Sequence, residues 1–456
     1  MKLEKLKKEL SEKFKNEKNS LSKKYKNLKN KEFNKEPKII GITGSRGKST
    51  TAYLVHNYLK KLGYKSILYS SIEIDSPVSV NLVNEPYEEL INNEEKLHNL
   101  LVESTAYDAD YIVLEIHEFV LDKEFIKNIP FDIRVLTNLN PKHNDELFTE
   151  EEYVNLKLSF FKDIDEKNCE CILGFQDYPK ELLDKILSLN NLKKHIYSSG
   201  YVAETKGLDL KDLSVYLKEL NTSLNGMDMT VNIEGTDESF KTNLIMSHNA
   251  LNILGVITIL NVLGVFEINK FRHFIKDIKV PGRAYLIKVK NRNIIIDYFI
   301  NPTLENLYNY KQSGMIKDIR IVTGAIGTGF ITWNEKFSSD KFVNSRKTSR
   351  NFAMNMINQY ADYVYLTEND NANELVTEIC EELKSYLNEE KNVKIIVDRH
   401  EAILAAIDES NENDVILITG RGERSVLCDS KDHIKYVRDR SVVEKILDKK
   451  EWYYHG

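Results

Sequence analysis

At 456 residues, 41% of them hydrophobic, the chain has material for two or three domains with cores of their own. Its net charge of -6 and pI near 6.0 exclude a global electrostatic pull toward nucleic acid or an anionic membrane. The four cysteines, Cys169, Cys171, Cys380 and Cys428, lack the paired spacing of a zinc site. With no run of about 18 apolar residues and no apolar leader, a cytoplasmic protein without membrane insertion is expected.

Residues 1–37 form a lysine-rich arm in which Leu3, Leu6, Leu10, Phe14, Leu21, Tyr25 and Leu28 recur at helical spacing, predicting one or two amphipathic helices. Such an arm either packs on the next domain or offers a basic surface to a protein partner. Phe33, Asn34 and Pro37 close it. Lys38 to Leu59, KIIGITGSRGKSTTAYLVHNYL, then reads as a buried strand, a glycine loop and an amphipathic helix. Gly44, Ser45 and Gly47 leave the loop's N–H groups free to converge on phosphate oxygens, and the helix opening at Lys48, Ser49 and Thr50 adds its partial positive charge. Lys48 would reach the β- and γ-phosphates of ATP and Ser49 would ligate Mg²⁺. The strict G-x-x-x-x-G-K-[ST] spacing is not met, because Ile42 stands where its first glycine belongs, and a plain structural turn is the competing reading.

From 38 to 280, strands predicted at Ser66–Ser70, Tyr111–Glu115, Ile133–Asn138 and Cys171–Gly174 alternate with helices such as Glu88–Ser104 and Glu151–Lys162. Strands separated by crossover helices imply an α/β domain with a mostly parallel sheet. Polar segments between Leu208 and Leu244, including Thr230–Ile233, suggest a small antiparallel addition, and an apolar helix follows at Asn249–Leu263. From 281 to 456 a second alternation begins, with strands at Arg292–Asp297, Arg320–Thr323, Tyr363–Leu366, Lys394–Val397 and Val415–Ile418. It reads as a second, doubly wound, Rossmann-like domain.

Ligands of parallel sheets gather at the carboxyl ends of the strands, where Glu115 (in VLEIHEF) and Asn138 fall. His143 lies in TNLNPKHND just past the next strand, and Lys157 in YVNLKLSFF one helix later. Taken singly, each has an ordinary reading: a helix cap, a turn histidine, a solvated lysine. Taken with the loop G-x-T-G-S-x-G-K-S-T, they resemble the Mur ligase superfamily, which couples ATP cleavage to amide-bond formation. There a strand-end glutamate is followed by a histidine and then by a lysine about fourteen residues on. The resemblance implies ATP and two Mg²⁺ ions, with Ser49, Glu115, His143 and Lys157 as metal ligands and Lys157 carbamylated, which asks for a desolvated amine. Hard oxygen donors with one imidazole suit Mg²⁺. Lys142 stands where an aspartate is usual.

Further blocks extend the likeness. SHNALN (247–252) resembles the segment whose asparagine, here Asn249, helps to hold adenine, although Ser247 and Asn249 also read as helix caps. In PGRAY and DYFINP, Arg283 would meet the γ-phosphate and Asp297 the ribose, with Ile300 in place of a histidine. The C-terminal section resembles the branch that adds the third amino acid of the peptidoglycan stem, and implies Asn371, Glu374, Arg421 and Arg424 as substrate residues. Ala372 replaces an arginine and Arg424 a glutamate, which suggests an amine carrying an extra acidic group, unless both arginines are surface charges. Only some 37 residues precede the loop, whereas the UDP-precursor ligases carry a whole domain there. Folylpolyglutamate and poly-γ-glutamate synthases lack that domain too. The expected function is an ATP-dependent ligase joining an amino acid to a small-molecule or peptide carboxylate. A polyglutamate-forming ligase, or a degenerate nucleotide-binding partner protein, remains open beside it.

Overall fold

The computed structural model describes residues 36–76, 87–140, 147–162, 169–176, 178, 180–188, 193–328, 339–371, 374–429 and 432–450. The lysine-rich arm, Lys142 and His143 lie outside the described residues. In chain order the first sheet comprises β1 (Lys38–Thr43), β2 (Ser66–Tyr69), β3 (Ile74–Asp75), β4 (Tyr111–Glu115), β5 (Ile133–Leu136), β6 (Glu170–Phe175), β7 (Lys194–Ser199), β8 (Val215–Ser223), β9 (Gly226–Ile233) and β10 (Thr236–Thr242). Its spatial order is β10-β9-β8-β7-β6-β5-β1-β4-β2-β3. β1 pairs in parallel with β4 on one side and β5 on the other. The chain therefore leaves β1 at a point where successive strands move off in opposite directions, which opens a crevice at their carboxyl ends.

The central strands β1, β4 and β5 are buried almost throughout because both faces of the sheet are covered there. With side chains alternating at a period of two, Ile40, Ile42, Val113, Ile133 and Val135 enter a core shared with the helices Lys48–Lys61 and His248–Val262. Ile39, Ile112, Leu114 and Leu136 enter a second core against the helix Glu94–Ala106. Ile253, Leu254, Val256, Ile257, Ile259 and Leu260 of the helix His248–Val262 are wholly buried. Each such side chain contributes about 1.5–3 kcal/mol. This helix packs on the first one, and its Asn252 lies against Gly47 of the glycine loop.

One expectation needs correction here. The single helix expected at Glu88–Ser104 is two, Tyr87–Asn92 and Glu94–Ala106. Asn93 breaks the run by capping the second: its side chain accepts from the Lys96 amide at 3.0 Å, satisfying one of the otherwise orphaned N–H groups of the first turn. The small antiparallel addition expected at 208–244 is present as β8, β9 and β10, and because β8 pairs in parallel with β7 it forms the edge of the same sheet.

The second sheet comprises β11 (Tyr285–Val289), β12 (Arg292–Asp297), β13 (Ile319–Thr323), β14 (Tyr363–Leu366), β15 (Asn392–Ile395) and β16 (Val415–Thr419), in the order β11-β12-β16-β13-β14-β15. Five of these run parallel, as expected; β11 is an antiparallel edge strand paired with β12, which the sequence reading did not include. A hairpin of β17 (Val426–Asp429) and β18 (Asp432–Lys435) precedes the last helix, Asp439–Lys449. The carboxyl ends of the two sheets face each other across a cleft of about 1320 Å³, lined from both sides.

Candidate active site

The glycine loop between β1 and the helix Lys48–Lys61 is held by backbone contacts that leave little room for side chains. Gly47 has φ 79°, a left-handed conformation that glycine alone adopts at no cost. A Cβ there would lie 2.2 Å from Asn252 Oδ1, and one on Gly44 would lie 2.0 Å from Thr137 Oγ1. The loop is pinned to the turn after β5: the Arg46 amide donates to Asn138 Oδ1 at 3.0 Å, and Asn138 Nδ2 donates to the Arg46 carbonyl at 2.8 Å. Ser45 Oγ accepts from Tyr153 Oη at 2.9 Å and from the Asn140 amide at 2.8 Å. No side chain caps the following helix. Its first N–H groups, from Lys48, Ser49 and Thr50, therefore remain for an anion.

Glu115, the last residue of β4, organises the floor of the cleft. Its Oε1 accepts from Ser49 Oγ at 2.8 Å. Its Oε2 accepts from Ser70 Oγ at 2.8 Å, the Ser71 amide at 2.9 Å and Ser71 Oγ at 3.0 Å. Burial by itself would raise this carboxyl, but the positive charges of His117, Lys48 and Arg283, with the Ser71 amide, outweigh it and hold it at about 2. Lys48 Nζ donates to the Gly44 carbonyl at 2.9 Å. Burial lowers its ammonium below the ordinary lysine range, with Lys157 adding to that and Glu118 and Glu115 opposing it.

Arg283 reaches this floor from the second domain. Its Nη2 donates to Ser49 Oγ and Ser71 Oγ, both at 3.1 Å, while its guanidinium lies 5.1 Å from the Tyr298 ring. Asp297 also lines the cleft. Its Oδ1 accepts the Tyr298 amide at 2.7 Å and its Oδ2 the Thr303 hydroxyl; burial raises its carboxyl, against Thr303 and Arg283.

Other expected residues are placed differently. Asn249 is buried and does not line the cleft: its Nδ2 donates to the Ile245 carbonyl at 2.8 Å and its Oδ1 accepts from Asn252 at 2.9 Å. His248 and Asn252 line the cleft in its place. Ser247 does not cap the helix with its side chain but bonds Asn306 across the domains at 3.0 Å. Lys157, wholly buried, lies behind the loop, and Glu118 rather than Lys157 borders the cleft. In the second domain Arg421 and Arg424 line the cleft, but both donate to one buried carboxylate, Asp370, at 2.9 and 2.8 Å. Asn371 Nδ2 donates to the Glu374 carbonyl at 3.0 Å, and Glu374 accepts from Arg350 at 2.8 Å. Glu118, His117, Ser71 and Asp370 were missed in the sequence. The first two stood in the same heptapeptide as Glu115, just past a strand end, which is signal enough; the partners of the others are brought together only by the fold.

A two-sheet α/β architecture with a glycine-loop helix terminus, a buried carboxylate and an arginine delivered from the second sheet defines a nucleotide-dependent enzyme of two facing domains. Residues 42–260 match the Mur ligase middle domain and residues 337–422 the Mur ligase glutamate ligase domain. The chain belongs to the Mur ligase superfamily. It is 28% identical over 425 residues to a UDP-N-acetylmuramoyl-L-alanyl-D-glutamate–2,6-diaminopimelate ligase from Clostridium perfringens, covering 91% of this chain and 79% of the relative. In fold it is similar to MurF ligase from Thermotoga maritima in complex with ADP (TM-score 0.59, 18% identity, 96% of this chain and 85% of that one). It is also similar to Mycobacterium tuberculosis folylpolyglutamate synthase complexed with ADP and AMPPCP (TM-score 0.62, 14% identity, 84% and 88%). Among the described residues, no helix is long and apolar enough to cross a membrane.

Proposed function

We propose that the protein is an ATP-dependent amide ligase that joins an amino acid to a carboxylate acceptor, in the manner of the cell-wall peptide ligases it resembles. The observation that carries this is the meeting at Ser49 Oγ of Glu115 from one domain and Arg283 from the other, in the cleft that Lys48 also lines. A binding module has no need of a cation delivered across the domain boundary to the phosphate loop. Phosphoryl transfer does, because catalysis there is mostly positioning and neutralisation of charge.

In this reading the N–H groups of Gly47 to Thr50 and Lys48 Nζ hold the β- and γ-phosphates, with Gly44 and Ser45 shaping the loop. Arg283 meets the γ-phosphate on closure of the second domain, Asp297 faces the ribose, and the adenine contact expected of Asn249 passes to His248 and Asn252. The hydroxyl of Ser49 and the carboxylate of Glu115 are hard oxygen donors that fit Mg²⁺, and His143 would join them. Bound there, the cation would neutralise charge developing on the phosphoryl oxygens. The resemblance completes this shell with a carbamate on Lys157; its pairing with Glu118 favours another arrangement, taken up below. An acceptor carboxylate oxygen attacks the γ-phosphorus and ADP leaves; the amine then attacks the acyl carbon, and phosphate leaves. Arg421 and Arg424, which both bond Asp370, face the amine's acidic groups, and Asn371 and Glu374 brace that wall from behind.

The test is amino-acid-dependent phosphate release from Mg-ATP, run with a panel of amino acids against UDP-linked and free peptide acceptors and folates, with products identified by mass. Release tied to one pair, with a product one water lighter than their sum, supports the ligase and names its substrates. A polyglutamate product would assign the chain to that branch instead. Tight nucleotide binding with no release across the panel would leave a nucleotide-binding partner protein as the better description.

A further inference from the structure

We propose that Glu118, and not a carbamate on Lys157, supplies the anionic oxygen that stands beside Glu115 for a second cation, with the Lys157 ammonium as its ion-pair partner. This rests on the ligase reading above and goes beyond it in assigning the ligand.

The first ground is the bonding of Lys157. An ammonium has three N–H donors, and three acceptors surround this one: Glu118 Oε2 at 2.9 Å, the Gly44 carbonyl at 3.1 Å and Thr43 Oγ1 at 3.4 Å. The threonine hydroxyl donates its own proton to the Ile116 carbonyl at 2.9 Å, so it presents a lone pair to the lysine. Capture of CO₂ requires a neutral amine with a lone pair facing open space and room for three more heavy atoms. Lys157 is wholly buried, and the Tyr153 ring closes another side with its centroid 5.4 Å from Nζ.

The second ground is position. Lys157 does not line the cleft, whereas Glu118 does. A short helical turn at Glu118–Val120 begins three residues beyond the end of β4, and the Glu118 carboxylate meets Lys157 Nζ, which also donates to the loop's Gly44 carbonyl. Glu118 is 24% exposed. One of its oxygens holds Lys157, and the other makes no hydrogen bond among the described residues. That is the disposition of a carboxylate ligand fixed at one oxygen and offering the second.

Charge balance is the third ground. Lys48 and Arg283 bring positive charge to the floor of the cleft, and Lys157 brings it from behind the loop, against the negative charges of Glu115 and Glu118. Carbamylation would turn Lys157 from cation to anion directly against Glu118, leaving two like charges in contact at a buried point, an arrangement that disfavours the charged forms of both. With glutamate three residues after Glu115, the anionic oxygen that carbamylation would create is already encoded in the chain.

Two measurements test this without relying on turnover. Carbon-13 NMR of the wild-type protein equilibrated with ¹³C-bicarbonate is expected to show no carbamate resonance; one that disappears in Lys157→Arg would overturn the proposal. Mn²⁺ titration followed by electron paramagnetic resonance, with a non-hydrolysable ATP analogue present, is expected to show two bound ions, and Glu118→Gln is expected to weaken one of them by at least about tenfold. Two ions bound with unchanged affinity in Glu118→Gln would sink this assignment and leave the ligase reading standing. A wild-type protein that bound no Mn²⁺–nucleotide at all would sink both.

Discussion

At the carboxyl ends of the first sheet, Ser49 Oγ bonds both Glu115 and Arg283 beside Lys48, where all four line the cleft. At the carboxyl ends of the second, Asp370 is enclosed between Arg421 and Arg424, with Arg421 1% exposed. Both clusters are charged and both border the same cavity. They differ in what holds them: the first is built on hydroxyls and a helix terminus that can exchange partners for phosphate oxygens. The second is a buried carboxylate that holds two arginines, and its loss removes the acceptor they share. Lys48 in the first should therefore tolerate substitution structurally while losing chemistry, and the second should fail as structure.

The largest effect expected from that contrast is at Asp370. Asp370→Ala strips Arg421 of its carboxylate and should cost about 3–5 kcal/mol of stability, the usual result of removing one partner of a buried pair. Urea unfolding reads it directly, and an unchanged midpoint would remove the distinction between the two clusters. Lys48→Met comes next. The side chain keeps its volume, so unfolding should shift little, while phosphate release should fall about 10²–10³-fold, as when one donor to a developing anion is removed. A comparable loss of stability in this variant would mean that the loop, too, is structural.

Glu115 sharpens the comparison through pH. Its folded carboxyl is held at about 2 against an ordinary value of 4.5. A depressed carboxyl contributes stability that is present above the unfolded value and lost as pH falls through the folded one. About 3 kcal/mol should therefore be present above pH 4.5 and disappear as the pH approaches 2. In Glu115→Gln that acid-dependent component should be absent, a difference that denaturation at about pH 6 and pH 3 would reveal.

The nucleotide loop, both parallel sheets and Glu115 could be read from the sequence because each is local: a strand's apolar run, three glycines, a carboxylate at a strand end. Asn249 could not be oriented, since eleven of the fifteen residues in its helix are buried; an all-round apolar helix carries no amphipathic phase to say which face meets the cleft. Asp370 and Arg421 stand 51 residues apart, and only the parallel neighbours β13, β14 and β16 carry them to one end of the sheet. Read without that pairing, the arginines looked available to a substrate. Glu118 was passed over because its partner lies 39 residues on, across a strand and a helix, and a second acid beside Glu115 resembled ordinary surface charge.

Arg283→Lys should produce the smallest effect of the set, and it bears on how the two domains cooperate. The guanidinium places one nitrogen between Ser49 Oγ and Ser71 Oγ, donates from another to the Gly282 carbonyl at 3.0 Å, and lies over Tyr298. A lysine keeps the charge but has neither the planar fork nor the stacking face, so it can neutralise the γ-phosphate without fixing the second domain at one angle. The loss should be about tenfold and should fall on kcat, with nucleotide affinity nearly unchanged, because the contact matters only once the domains have closed. An equal loss in nucleotide affinity would place Arg283 in ground-state binding, and the cross-domain contact would then be a latch on the nucleotide rather than part of the transfer.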